Sequence, residues 1–314
     1  MRHFDPRSAL ARLAAVAAAV FCCAAAWADE PLPVTEVAPG VFVYQAPYQL
    51  AAPANGGAVG NVGFVVGGEA VAVIDTGGSA AAGRRLLAAV RARTDLPIRY
   101  VINTHFHPDH TLGNVAFRDG TARFVGHRNL RAALAARAQT YLDNNRRIVG
   151  AAAFEGTEII YPDEEVADTR RIDLGGRTLV LEAQPTAHTN TDLTVFDEAT
   201  RTWWLADLLF VRHTPAVDGS INGWLKLIEK AKTRPADRVV PGHGPAALPW
   251  PDAIAPEERY LERLRRDVRA MVSAGRTMAA AAREAGLSER DAWDLFDDFN
   301  ARNATAVFRE MEWE

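Results

Sequence analysis

The chain has 314 residues, a formal charge of −4, 48% hydrophobic residues and only two cysteines. That length supports one large domain with a sizeable core. A mildly acidic balance argues against nucleic acid or an anionic membrane surface as a partner, and no internal repeat or low-complexity tract stands out.

At the N-terminus, Arg2, Arg7 and Arg12 surround the apolar run LAAVAAAVFCCAAAWA, which ends in Ala26-Trp27-Ala28. A positive flank, a short apolar stretch and a small-x-small end describe a cleavable secretory signal. The run is shorter than the roughly 20 apolar residues a spanning helix needs, and Asp29-Glu30-Pro31 follow at once. A lipid anchor on Cys22 fits poorly behind the bulky Val20-Phe21. The expectation is removal of residues 1–28, export to the periplasm and no membrane attachment after cleavage. Both cysteines, Cys22 and Cys23, leave with the signal, so the remaining 286 residues have no thiol ligand and no disulfide. Three arginines and Asp5 leave too, which moves the formal charge from −4 to −6.

Strands come next. GVFVYQA (40–46), NVGFVVGG (61–68) and AVAVIDTG (70–77) are β-branched and bounded by glycine. APYQLAAPANGGAVG (46–60) is too long for a hairpin turn and reads as a mobile loop. SAAAGRRLLAAVRART (79–94) predicts a helix capped by Ser79, and IRYVINTH (98–105) a buried strand. RFVGH (123–127) is a strand and 129–147 a helix. Residues 170–185 predict a hairpin around Gly175-Gly176, and 193–207 a second hairpin. A helix capped by Ser220 (219–232) and a strand, RVVPGHG (238–244), close the series. Strands grouped with helices in two successive sets predict two packed β-sheets with helices outside.

From Pro256 the chain is helical to its end, giving a division into residues 29–255 and a C-terminal helical extension over 256–314. Ser288 and Asp291 form a potential capping box at the start of 288–312. TMAAAAREAG and LSERDAW have the outline of a helix-turn-helix. An exported acidic chain has no use for one, so these helices are expected to pack Trp293, Phe296, Phe299 and Phe308 on the main domain.

Between the strand 98–105 and the helix 129–147 lies THFHPDHTLGN (104–114), with three of the eight histidines and an aspartate inside six residues. His105 and His107 are two apart at a strand end, a spacing that puts their side chains on one face and at one cation. Pro108 turns the chain and aims Asp109 and His110 elsewhere, toward a second cation. Three further ligand types sit at predicted strand ends: His188 in PTAHTNTD, Asp207 in WWLADLLF and His243 in VVPGHGP. Four such ends imply one cleft along one sheet edge. His213 is either a cleft residue touching substrate or a surface residue, Tyr48 and Leu50 could cover a substrate, and His127 is structural. Asp192 is either a partner fixing a histidine tautomer or a plain turn aspartate. Of Trp203 and Trp204, which alternate on a strand, at least one belongs to the core.

Asp75 in VIDTG, the HFHPDH string, His188, Asp207 and His243, in that order, resemble the metallo-β-lactamase superfamily over nearly the whole exported length. The resemblance implies a four-layer αββα sandwich and two metal ions, usually zinc, with iron or manganese as alternatives. It gives one metal His105, His107 and His188, the other Asp109, His110 and His243, and makes Asp207 the bridge. Asp75 would support the ligand loop from within. β-Lactamases of this superfamily carry cysteine or serine at the place of Asp207, so the chain is closer to bridging-aspartate hydrolases such as glyoxalase II. With its signal, DLLFVRHTPAVDGSINGW and FNARNATAVFREMEWE, it looks most like the periplasmic quinoprotein relay system zinc metallohydrolases, relatives of the sulfur-oxidation hydrolase-like proteins.

What the resemblance implies in function is a hydrolase. A dication brings the pKa of bound water to about 7, the resulting hydroxide attacks an ester, thioester, lactone or lactam-type bond of a small molecule, and Asp109 holds or accepts the proton. A periplasmic quinoprotein would be a partner. The alternatives are an accessory protein that binds a metal or cofactor for a quinoprotein or sulfur-oxidation system, and a mononuclear iron oxygenase of the same fold.

Overall fold

A computed structural model describes residues 30–313. The expected signal over 1–28, with Cys22 and Cys23, lies outside the described residues. Within them no helix is long and apolar enough to cross a membrane.

The first sheet runs β1 (Val34–Ala38), β2 (Val41–Tyr44), β3 (Val62–Val66), β4 (Val71–Ile74), β5 (Ile98–Ile102), β6 (Arg123–His127) and β7 (Glu164–Val166), in spatial order. β1 to β4 pair antiparallel and β4 to β7 parallel. The second sheet holds β8 (Thr169–Asp173), β9 (Thr178–Ala183), β10 (Leu193–Asp197), β11 (Thr202–Phe210), β12 (Arg238–His243) and β13 (Leu248–Pro249), ordered β13-β12-β11-β10-β9-β8. Both predicted hairpins are present as β8–β9 and β10–β11. β1, β7 and β13 are short or half-exposed and carry too little pattern to be read from sequence.

The sheets face each other through Val43, Val65, Ile74 and Ile102 on one side and Leu181, Val195, Trp204 and Val240 on the other. A β-carbon on Gly63 would stand 2.7 Å from the Trp204 ring and 2.1 Å from the Phe42 carbonyl, so the absent side chain lets the indole seat. Trp203, next in line, points to the opposite face, so both tryptophans are core.

The outer face of the first sheet is covered by α1 (Ala80–Arg91) through Leu86 and Val90, with Ser79 Oγ accepting from Ala82 N at 3.1 Å as the cap. A single turn, α2 (Pro108–Thr111), starts at a proline whose missing N–H is no loss at a first helical position. α3 (Leu130–Val149) and the short α4 (Ala151–Phe154) follow. The outer face of the second sheet carries α5 (Ile221–Ala231), capped by Ser220 Oγ from Gly223 N, and then α6 (Ala255–Ser273), α7 (Met278–Glu284) and α8 (Phe296–Glu312). Trp203, Leu209 and Trp224 share one apolar cluster with Tyr260, Trp293, Phe296 and Phe308, and Phe299 packs against it. The result is the αββα sandwich with C-terminal helices.

One prediction fails in the last segment. Residues 288–312 do not form one helix, and Ser288 caps nothing. Leu287–Ala292 is a 3-10 turn, Trp293 is extended, and Leu295 adopts a left-handed φ of 60° before α8 begins. Tertiary pairing overrides helix propensity at the break: Asp294 N donates to Arg212 O at 2.7 Å and Thr214 N to Asp294 O at 3.0 Å.

Candidate metal centre

The site sits where both sheets present their last residues and the loops beyond them. β5 ends at Ile102, so His105 and His107 lie in the following loop and not on a shared strand face; α2 then carries Asp109 and His110. His188 is in the loop between β9 and β10, and His243 is the final residue of β12. Asp207 is inside β11 rather than at its end. The register of β11 against β12 shifts around Ala206, whose φ is 48°, and this bulge turns Asp207 toward the cleft. Gly242 on β12 makes room for it, because a β-carbon there would lie 1.8 Å from Asp207 Oδ1.

Two ligand groups result: His105, His107, His188 and Asp207, and Asp109, His110 and His243, with the donor atoms of each group within 4.8 Å of one another. In the first, His107 Nδ1 is 3.1 Å from His105 Nε2 and 3.0 Å from His188 Nε2. Asp207 Oδ2 is 3.6 Å from His105 Nε2 and 3.4 Å from His188 Nε2. Asp207 also reaches the second group, with Oδ1 3.1 Å from His110 Nε2 and Oδ2 3.4 Å from His243 Nε2. Asp109 Oδ2 is 3.4 Å from His243 Nε2 and 3.5 Å from His110 Nε2.

A family model for the metallo-beta-lactamase superfamily matches residues 55–243, which include all seven of these side chains. The chain belongs to the metallo-β-lactamase superfamily. Over 49 residues it is 45% identical to a linear primary-alkylsulfatase of Pseudomonas sp. (strain ATCC 19151), a match covering 16% of this chain and 9% of that protein. Similar solved structures include a metallo-β-lactamase from Pontibacter korlensis, with 19% identity, 74% of this chain and 99% of that one covered, and a TM-score of 0.59. The stereoselective inverting sec-alkylsulfatase from Pseudomonas sp. is similar with 17% identity over 88% of this chain and a TM-score of 0.67; this chain spans half of that one.

Members of the metallo-β-lactamase superfamily bind metal ions, and the donor set here fits them. Four-coordinate ligands at about 2.0–2.1 Å from a dication are about 3.3 Å from one another, which matches the spacing in the first group. The hydrogen bonds behind the rings fix which nitrogen faces inward. His188 Nδ1 donates to Ala216 O at 2.6 Å, and His110 Nδ1 to Asp75 Oδ2 at 2.9 Å. Thr104 Oγ1, which itself donates to Asp75 Oδ2, accepts from His105 Nδ1 at 3.0 Å. His107 Nε2 donates to Asp218 Oδ2 at 3.1 Å. The inward nitrogens of His105, His107 and His188 are therefore lone pairs meeting at about 3 Å, an arrangement a cation satisfies. His110 Nε2 and Asp207 Oδ1 are likewise buried without an aligned hydrogen-bond partner.

Charge follows the same division. Burial pushes His188 down to about 3 and holds His105 well below the ordinary imidazole value, so both are neutral. Burial also opposes protonation of His243 and His110, but Asp207 and Asp109 outweigh it, raising His243 to about 9 and His110 well above its usual value. Burial disfavours ionised Asp109 and Asp207, yet His110 and His243 hold both far below the carboxylate range.

The other sequence-singled residues separate. Asp75 is buried and accepts from Thr104 N, Thr104 Oγ1 and His110 Nδ1. His213 lines the cleft, its ring 4.6 Å from that of His243. Tyr48 stacks with Arg212 at 4.7 Å, while its neighbours Gln49, Leu50 and Ala51 line the cleft. Asp192 accepts from Thr189 N and Oγ1 within its own turn and touches no histidine. His127 accepts from Asn129 N. The sequence reading missed Asp218; its only signal was its place just before the Ser220 cap.

The loop bearing Ala216 and Asp218 is held from the C-terminal helices. Asn303 Oδ1 accepts from Val217 N at 2.9 Å, and its Nδ2 donates to Pro215 O at 2.6 Å. Glu310 accepts from Ser220 Oγ and Ile221 N.

Proposed function

We propose that this protein is a periplasmic hydrolase with two zinc ions, acting on an ester, thioester or lactone of a small molecule. The observation that carries it is Asp207, whose carboxylate lies between the two groups, with Oδ2 near His105, His188 and His243 and Oδ1 near His110. His105, His107 and His188 would hold one zinc and Asp109, His110 and His243 the other. Bound zinc would supply Lewis acidity and a water ionised near neutral pH. The protein's own part is orientation and charge. Asp75, Thr104, Ala216 and Asp218 fix the imidazole tautomers, Asp207 and Asp109 offset the cationic charge, and ionised Asp109 offers a proton acceptor at the cleft wall. The alkylsulfatase relatives add sulfate esters to the range of bonds.

Export rests on the Arg-flanked apolar run, and service to a quinoprotein dehydrogenase on the resemblance of 207–224 and 299–314 to that relay family. Metal analysis of protein purified without added metal tests the reading: two zinc per chain supports it, while one iron favours the mononuclear oxygenase. His105→Ala should lower metal content and abolish hydrolysis; full activity in that variant would overturn the assignment. Two metals with no hydrolysis of any ester class would favour the accessory binding role.

A further inference from the structure

The cleft over the metal centre measures about 690 Å³, within the range of small-molecule sites. Its walls carry two guanidiniums on different helices. Arg137 on α3 stands 4.1 Å from the Phe106 ring centre, with one nitrogen 3.2 Å from Ala133 O. Arg302 on α8 lies 5.9 Å from the Phe299 ring centre. Neither forms an ion pair among the described residues, whereas Arg171, Arg177, Arg234 and Arg259 each hold a carboxylate. The carboxylates facing the same cleft are engaged, Asp218 with His107 and Asp109 with His110 and His243. Tyr141 is on the same wall. Its hydroxyl, kept protonated by burial, has no hydrogen-bond partner among the described residues.

The same cleft carries large apolar side chains among polar ones such as Gln49, Thr140, Asn144 and Asn145. Leu50 and Ile148 line this cleft and are 48% and 45% exposed, two of the four large hydrophobic side chains in the open among the described residues. Phe299 adds a ring to the same wall. A guanidinium binds a carboxylate or sulfate through paired N–H groups, and the exposed apolar side chains beside it can take an alkyl chain.

We propose that the substrate is an anionic amphiphile, whose carboxylate or sulfate monoester group is held by Arg137 and Arg302 while its alkyl part lies over Leu50, Ile148 and Phe299. The reaction rests on the hydrolase reading; the binding does not.

Calorimetric binding to the metal-loaded protein separates the two. Octyl sulfate, octanoate and neutral octyl glucoside would be titrated into wild type, Arg137→Gln, Arg302→Gln and the double variant, with metal content measured in each. The expected result is tighter binding of the anions than of the glucoside, about tenfold weakening per arginine removed, and unchanged glucoside binding. Which anion binds better distinguishes sulfate from carboxylate recognition. Equal binding of all three amphiphiles, or undiminished anion binding in a double variant with full metal content, overturns the proposal. Arginine-dependent binding without turnover of any octyl ester would leave the proposal standing and remove the hydrolase reading instead.

Discussion

Removing the carboxylate of Asp218 should weaken one metal position and spare the other. Asp218 Oδ2 accepts from His107 Nε2 at 3.1 Å, which keeps the proton on that nitrogen and turns Nδ1 toward His105 and His188. A hydrogen bond to a charged group is worth about 1.5–3 kcal/mol. The Asp218 side chain is 44% exposed, so solvent screens the interaction and the lower limit applies. At about 1.4 kcal/mol per factor of ten, Asp218→Ala should lower affinity at the His105, His107 and His188 position about tenfold, the small end of what such supporting partners contribute. Asp218→Asn keeps an acceptor and should recover part of the loss. Competition against a chromophoric chelator, resolving two binding steps, measures both positions, and thermal unfolding of the metal-free protein provides the control. An unchanged affinity in Asp218→Ala, or an equal loss at both positions, would refute the reasoning.

Gly242→Ala places a β-carbon 1.8 Å from Asp207 Oδ1 and should reduce bound metal well below the wild-type ratio, as read by elemental analysis. Trp204→Ala opens a void between the sheets and should cost about 3–5 kcal/mol, seen as a lower urea midpoint. Burial lowers His127 to about 4 from the ordinary imidazole value near 6.5. The neutral ring contributes in full above 6.5. Its contribution falls as pH drops from 6.5 toward 4, because the unfolded state takes up a proton that the folded state refuses. Wild type should therefore lose about 1–2 kcal/mol relative to His127→Gln between pH 7.5 and pH 5, and parallel denaturation curves at the two values would contradict this. With Asp207 bridging two metals as proposed, turnover of penicillins and carbapenems should be far below the kcat/KM of ~10⁶ M⁻¹s⁻¹ ordinary for an enzyme on its own substrate.

Most of the sandwich was legible because its central strands are β-branched runs and two of its helices start at capping serines, Ser79 and Ser220, features that act over a few residues. The seven candidate ligand residues stood out as titratable side chains at or near predicted strand ends, linked by the family order, although Asp207 lies inside β11 and Asp109 and His110 on α2. What escaped depended on distance in sequence. Asp218 meets His107 across 111 positions, and nothing local marks it. Arg137 and Arg302 look like ordinary solvated helix residues until α3 and α8 face the same cleft. The predicted helix from Ser288 failed for a similar reason: Asp294 answers to Arg212 and Thr214, not to its own neighbours. The bulge that turns Asp207 inward needs φ of 48° at Ala206, a residue type that gives no warning of it.

The clamp from Asn303 and Glu310 makes the orientation of two candidate ligands depend on the last helix. The carbonyl that orients His188 and the carboxylate that orients His107 stand on a loop whose amides are gripped by residues about 90 positions later. His105 needs only its neighbour Thr104 to fix its tautomer, whereas His107 and His188 depend on a loop held from residues 303 and 310. Oriented His107 and His188 are thus a property of the chain with its last helix packed.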